Sequence, residues 1–122
     1  MDRAPLLTDI APEIPGGAAY WVKAADGVRL RVAVWPEGTK GTVLMFPGRT
    51  EYIEKYVHVA DAMRSAGYAT LIIDWRGQGL SDRPLPDRMM GHVGAFEDYQ
   101  RDVVAALTAA ARLGLPEPYF MI

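Results

Sequence analysis

The order of apolar patterns along these 122 residues predicts an α/β fold. The expected order is an N-terminal β-hairpin followed by β-α-β-α-β, with a mainly parallel sheet and helices on its faces. Three observations predict it. Two alternating runs meet at Asp26-Gly27, and alternation around an Asp-Gly turn is the strongest short-range hairpin signal. The runs "TVLMFPG", "ATLIID" and "PYFMI" are apolar without alternation, as in strands covered on both faces, which are usually parallel. Two segments of helical period separate those runs.

Residues 1–18 hold Pro5, Pro12, Pro15, Gly16 and Gly17 and read as an irregular N-terminal arm, leaving 19–122 as the folded unit. In "AYWVKAADGVRLRVAVW", Tyr20, Val22 and Ala24 alternate with their neighbours. So do Val28, Leu30, Val32 and Val34, while Arg29 and Arg31 take the other side. Those arginines suggest a solvated face near a sheet edge. After "TVLMFPG", the residues Ile53, Tyr56, Val57, Ala60, Met63 and Ala66 form one helical stripe. Thr50 reads as its N-cap, Glu51 suits the positive helix start and Gly67 is the stop. "ATLIID" ends at Asp74 and opens the polar loop "WRGQGLSDRPLPDRMMGHVG". A second helix is expected from Ala95 to Arg112, striped by Phe96, Tyr99, Val103, Ala106, Leu107 and Ala110, and stopped by Gly114 and Pro116.

Composition narrows the chemistry. With 50% apolar and 23% charged residues, one ordinary globular domain is the expectation. A net charge of −2 with scattered basic residues gives no electrostatic footprint for nucleic acid. The absence of cysteine excludes disulfides, thiolate metal sites and a cysteine nucleophile. His58 and His92, the two histidines, are too far apart to suggest a metal cluster, so no metal or cofactor is expected. No apolar stretch approaches the ~18 residues needed to span a bilayer. The opening is interrupted by Thr8, Asp9 and Pro12, a poor secretory signal, so a cytoplasmic location is expected.

In open α/β sheets, ligands bind beyond the carboxyl ends of the strands. That rule selects "FPGRTEY" and "IDWRGQGLSD". In the first, Gly48 allows a close turn, and amides near Arg49 and Thr50 at a helix entrance would suit an anion or oxyanion. A plain strand-to-helix turn is the alternative. In the second, Gly77 and Gly79 lack the third small residue of a dinucleotide fingerprint, because Asp82 stands there. Asp74 at its strand end could act as an acid or base, but such an aspartate more often holds the loop that follows. Ser65 in "MRSAG" and Ser81 in "GLSDR" each lack part of the G-x-S-x-G nucleophile elbow. His58 falls off its helix stripe and reads as solvated; His92 reads as a structural hydrogen-bonding residue. No complete catalytic set is present.

"FPGRTEYIEKYVHVADAMRSAGYATLIIDWRGQGLSDR", then "GHVGAFEDYQRDVVAAL", then "PYFMI" together resemble the front half of an α/β-hydrolase. The nearest branch is the lysophospholipase and monoacylglycerol-lipase group, also described as serine-aminopeptidase-like. The resemblance covers about Tyr20 to Ile122 and implies a truncated α/β-hydrolase fold. In that family the strand before the first helix ends in His-Gly, and the next residue donates an oxyanion-hole N–H. Here the pair is Pro47-Gly48, so the resemblance gives the donor position to the backbone of Arg49, with Gly48 and Thr50 as flanking substrate-side residues. Asp74, Arg76, Gly77, Gly79 and Ser81 match a D-x-R-G-x-G-x-S loop that is chiefly architectural in the family.

The family's nucleophile sits in G-H-S-M-G directly after the strand that "PYFMI" resembles, with the acid, histidine and cap later still. The expectation is therefore the N-terminal part of a larger serine ester hydrolase, inactive by itself. Its implied substrate is a small acyl ester or lysolipid, and lipid substrates would be compatible with membrane association. An aspartate-nucleophile hydrolase of the same fold stays open at this stage. So does a non-catalytic α/β module that binds a partner through an exposed strand edge at "YFMI".

Overall fold

A computed structural model describes residues 1–10, 16–83 and 96–122. The strands are β1 (Asp2–Ala4), β2 (Ala18–Lys23), β3 (Arg29–Trp35), β4 (Thr42–Met45), β5 (Ala69–Ile73) and β6 (Tyr119–Met121). A 3₁₀ turn (Ile53–Tyr56) leads into α1 (Val57–Ser65), and α2 spans Phe96–Arg112. The six strands form one mixed sheet in the order β1-β2-β3-β5-β4-β6. β4, β5 and β6 are parallel to one another, and β1, β2 and β3 join them through antiparallel pairs.

The hairpin forms where Asp26-Gly27 placed it, with Lys23 opposite Arg29 and Gly27 N–H donating to the Ala24 carbonyl at 2.9 Å. The arm departs from the expected irregular chain at Asp2–Ala4, which pairs with Ala19–Trp21. No alternation marks three residues as a strand; an unpaired neighbouring edge recruits them.

Side-chain alternation divides the core into two layers. Leu30, Val32 and Val34 of β3, Leu44 of β4, and Leu71 and Ile73 of β5 face Ala105, Ala106, Ala109 and Ala110 of α2. Ala33, Trp35, Met45 and Ile72 point the other way, onto Ile53, Val57 and Ala60. Two covered faces explain why "TVLM" and "ATLII" are buried at every position. The alanine stripe of α2 lets that helix lie close to the sheet.

Arg29 and Arg31 do not share a solvated face. Arg29 is exposed, but Arg31 is wholly buried, because β3 is interior and the 3₁₀ turn covers the side on which Arg31 lies with Ala33 and Trp35. Thr50 is not the N-cap of the first helix. It has φ 66° in an exposed turn, and Tyr52, in extended conformation, precedes the 3₁₀ turn without a side-chain cap. β6 pairs with β4, but Phe120, Met121 and Ile122 remain 45–60% exposed, so this strand is an apolar edge rather than buried. Residues 84–95, which include His92 and the expected helix start at Ala95, lie outside the described residues.

Candidate active site

The loop leaving β4 is held from three sides. The indole N–H of Trp75 donates to the Pro47 carbonyl at 2.7 Å, and Trp75 packs between Phe46 and Tyr99 with ring centroids 5.5 and 5.0 Å away. Gly48 N–H donates to Oε1 of Glu51 at 3.0 Å, and Glu51 N–H returns to the Gly48 carbonyl at 3.3 Å. The Tyr56 hydroxyl donates to the same Oε1 at 2.5 Å. That hydroxyl, acting against slight desolvation, holds the Glu51 carboxyl below its ordinary value and raises the Tyr56 phenol in turn. Gly48, Arg49 and Thr50 form the exposed crest of this turn. Thr50 contributes its hydroxyl to the Arg49 carbonyl at 2.6 Å.

Beneath the turn lies a buried ionic centre. Arg31 donates through Nη1 and Nη2 to the two carboxylate oxygens of Glu54, both at 2.6 Å, and through Nε to Oδ2 of Asp74 at 2.8 Å. Nη1 also reaches the Pro5 carbonyl at 2.9 Å. Asp74 accepts Ile53 N–H on Oδ1 and Leu80 N–H on Oδ2, each at 2.9 Å, and Glu54 accepts Leu7 N–H at 2.9 Å. One guanidinium thus joins the N-terminal arm, β3, the 3₁₀ turn and the loop after β5. Burial alone would raise the Glu54 carboxyl, but Arg31 and the Leu7 amide outweigh it and hold it low. For Asp74 burial prevails and its carboxyl is raised, with Arg31 and the two amides pulling the other way.

A second centre fixes the start of the same loop. Arg76 binds Asp102 of α2 through Nε at 3.0 Å and Nη2 at 2.8 Å, and Asp26 of the hairpin through Nη1 at 2.8 Å. Its backbone N–H donates to Asp102 at 3.0 Å. The loops at the carboxyl ends of β4 and β5 are therefore positioned by charge-assisted bonds, the strong class of hydrogen bond.

Residues 37–122, more than two thirds of the chain, match the hydrolase family described as "Serine aminopeptidase, S33". This chain belongs to that family. Lysophospholipase L2 of Escherichia coli (strain K12) is 46% identical over 63 residues, which take in 52% of this chain and 18% of that relative. The chain thus matches about a fifth of the length of its curated relative.

Similar solved structures are α/β-hydrolases. A hypothetical protein from Pseudomonas aeruginosa superposes with TM-score 0.75 at 16% identity, covering 99% of this chain and 40% of that one. An epoxide hydrolase from Vigna radiata gives 0.65 at 23%, covering 89% and 32%. An esterase from Exiguobacterium antarcticum gives 0.62 at 20%, covering 83% and 33%. At such identities these likenesses establish the fold alone.

The D-x-R-G-x-G-x-S stretch of this serine aminopeptidase family member is architecture. Ser81 is buried, accepts Arg31 N–H at 2.9 Å and donates to the Asp74 carbonyl at 2.7 Å. Ser65 closes α1 and His58 is exposed on it. Among the described residues no group of His, Cys, Asp and Glu could hold a metal ion, and no helix is long and apolar enough to cross a membrane. Sequence reasoning missed the Arg31–Glu54 pair. The available signal was Arg31 with apolar neighbours on both sides in "LRVAVW".

Proposed function

We propose that this chain supplies the oxyanion side of a serine ester hydrolase acting on lysophospholipids, monoacylglycerols or similar acyl esters. The backbone N–H of Arg49 is the proposed donor to the developing oxyanion, with Gly48 and Thr50 bordering the substrate. A serine outside these 122 residues attacks the acyl carbonyl; the ester C–O bond then breaks, releasing the alcohol and leaving an acyl-enzyme for water to hydrolyse. The observation that carries this reading is the 46% identity to a lysophospholipase over 63 residues. The hydrogen-bonded turn at Pro47–Glu51 supports it, since oxyanion stabilisation depends on donors fixed before reaction.

The test compares the 122-residue chain with the complete open reading frame from the same gene. A fluorophosphonate probe should leave the short chain unlabelled, because the Ser81 hydroxyl is committed to Asp74 and Ser65 ends a helix. It should label the complete product, which should release fatty acid from lysophosphatidylcholine or monoacylglycerol. Labelling of the short chain, or turnover of an epoxide but not of acyl esters by the complete product, would overturn the assignment.

A further inference from the structure

A cavity of about 380 Å³ opens between the N-terminal arm and the loops that follow β4 and β5. Its volume lies within the ~300–1,000 Å³ usual for ligand clefts. Thr50 lines it, so it adjoins the proposed oxyanion turn. Leu7, Ile10 and Leu80 give it apolar surface, and Arg83 borders it beside Gly77 and Gly79.

The two cations of this lining face different partners. Arg31 is wholly buried, and its Nε, Nη1 and Nη2 are engaged by Asp74, Glu54 and the Pro5 carbonyl. That centre sets two carboxylates against one guanidinium, so it offers no attraction to an anion. Arg83 is half-buried, and its Nη1 and Nη2 donate to the carbonyls of Gly77 and Gly79. Those bonds orient the guanidinium without neutralising it. The adjacent carboxylate, Asp82, pairs instead with Arg29 at 3.5 Å. A guanidinium carries more N–H donors than two carbonyls occupy, and its planar fork matches phosphate oxygens. Apolar surface nearby excludes water and strengthens that attraction.

We infer that Arg83 is a specificity residue of this site: it binds a phosphodiester on the alcohol side of the ester, so lysophospholipids are preferred over uncharged monoacylglycerols. The inference rests on the ester-hydrolase reading and narrows its substrate class. A lysophospholipid carries its phosphate one glycerol backbone away from the ester, so both groups can border one cleft of this volume.

The experiment uses the complete product of the gene and two short-chain esters that stay monomeric, hexanoylglycerol and its phosphoglycerol derivative. The phosphodiester should have the higher kcat/KM, and added salt should narrow the difference. Arg83→Met should lower the ratio of the two kcat/KM values about ten- to hundredfold, the worth of a hydrogen bond to a charged group. Arg83→Lys, which keeps the charge without the fork, should restore part of it. Should the variants not fold, the parent enzyme still reads the subsite: glycerophosphoglycerol should inhibit hexanoylglycerol cleavage competitively, and glycerol should not. Equal cleavage of the two esters by the parent, an Arg83→Met ratio equal to the parent's, or inhibition by inorganic phosphate but not by glycerophosphoglycerol would overturn the headgroup assignment and leave ester hydrolysis standing. Cleavage of neither ester would overturn the hydrolase reading itself, and this inference with it.

Discussion

Arg31 and Glu54 face each other fork to fork, each Nη–Oε contact 2.6 Å, with neither side chain reaching solvent. Twenty-three residues separate them in sequence. Asp74 completes the centre from the end of β5. Removing three ionised groups from water is expensive, so the net stability of such a centre can be small. Its geometric consequence is large, because the arm, the 3₁₀ turn and the loop after β5 all bond to it.

Removing the cation leaves two carboxylates buried without it. Arg31→Met should lower unfolding free energy by about 3–5 kcal/mol, the usual result of breaking a buried pair from one side. Arg31→Met combined with Glu54→Leu should recover part of that loss, because one uncompensated carboxylate is gone. Urea unfolding of the two variants beside the parent chain checks both statements. A double variant no more stable than Arg31→Met would show that Glu54 is not the source of the penalty.

The same centre sets an acid limit. The Glu54 carboxyl is held below its ordinary 4.5 in the folded chain. Its stabilisation is therefore present above pH 4.5 and is lost as pH falls through the lower folded value. Asp74 contributes with the opposite sign, its raised value favouring the protonated form of the folded state. Glu54→Gln should consequently be less stable than the parent near neutrality, and the gap should narrow below pH 4.5. Thermal unfolding across an acid series measures the gap directly; a constant difference would assign the acid limit elsewhere.

Gly79 and Gly27 both have positive φ, +54° and +86°, yet their surroundings differ. A Cβ on Gly79 would run into the Asp74 carboxylate, which Arg31, Ile53 and Leu80 hold in place, whereas one on Gly27 meets nothing within 4 Å. Gly27→Ala should cost only the left-handed backbone penalty, on the order of 1 kcal/mol. Gly79→Ala should cost about 1–3 kcal/mol more, as the collision strains the ionic centre. Equal losses in denaturant unfolding would contradict the contact.

What could be read from sequence follows the physics of each signal. Hairpin, buried strands and α2 were legible because alternation, continuous apolarity and helical period are local patterns. β1 was not, since its pairing depends on the exposed edge of β2 rather than on its own three residues. Arg31 misled because alternation shows that two faces differ, not what covers the second. Thr50 looked like an N-cap by type and spacing, but Glu51 bonds back to Gly48 and closes a turn that delays the helix until Ile53. The Gly48–Thr50 turn could be located from its place after a buried strand, whereas its support by Trp75, Tyr56 and Glu51 is tertiary.

That support makes Glu51 the residue through which the turn can be perturbed without touching its crest. Its Oε1 accepts from both Gly48 N–H and the Tyr56 hydroxyl, so its ionisation should be visible at the Gly48 amide. The amide resonance of Gly48 should titrate with Glu51, at a midpoint below the ordinary 4.5 because the Tyr56 hydroxyl, with Lys55 nearby, favours the carboxylate. Tyr56→Phe removes the largest of those influences and should move the midpoint upward toward 4.5. Glu51→Ala should abolish the titration and speed hydrogen exchange at Gly48 while leaving the ionic centre at Arg31 intact. A Gly48 amide whose shift is flat through acid pH, or whose midpoint ignores Tyr56→Phe, would mean that the carboxylate does not hold the turn.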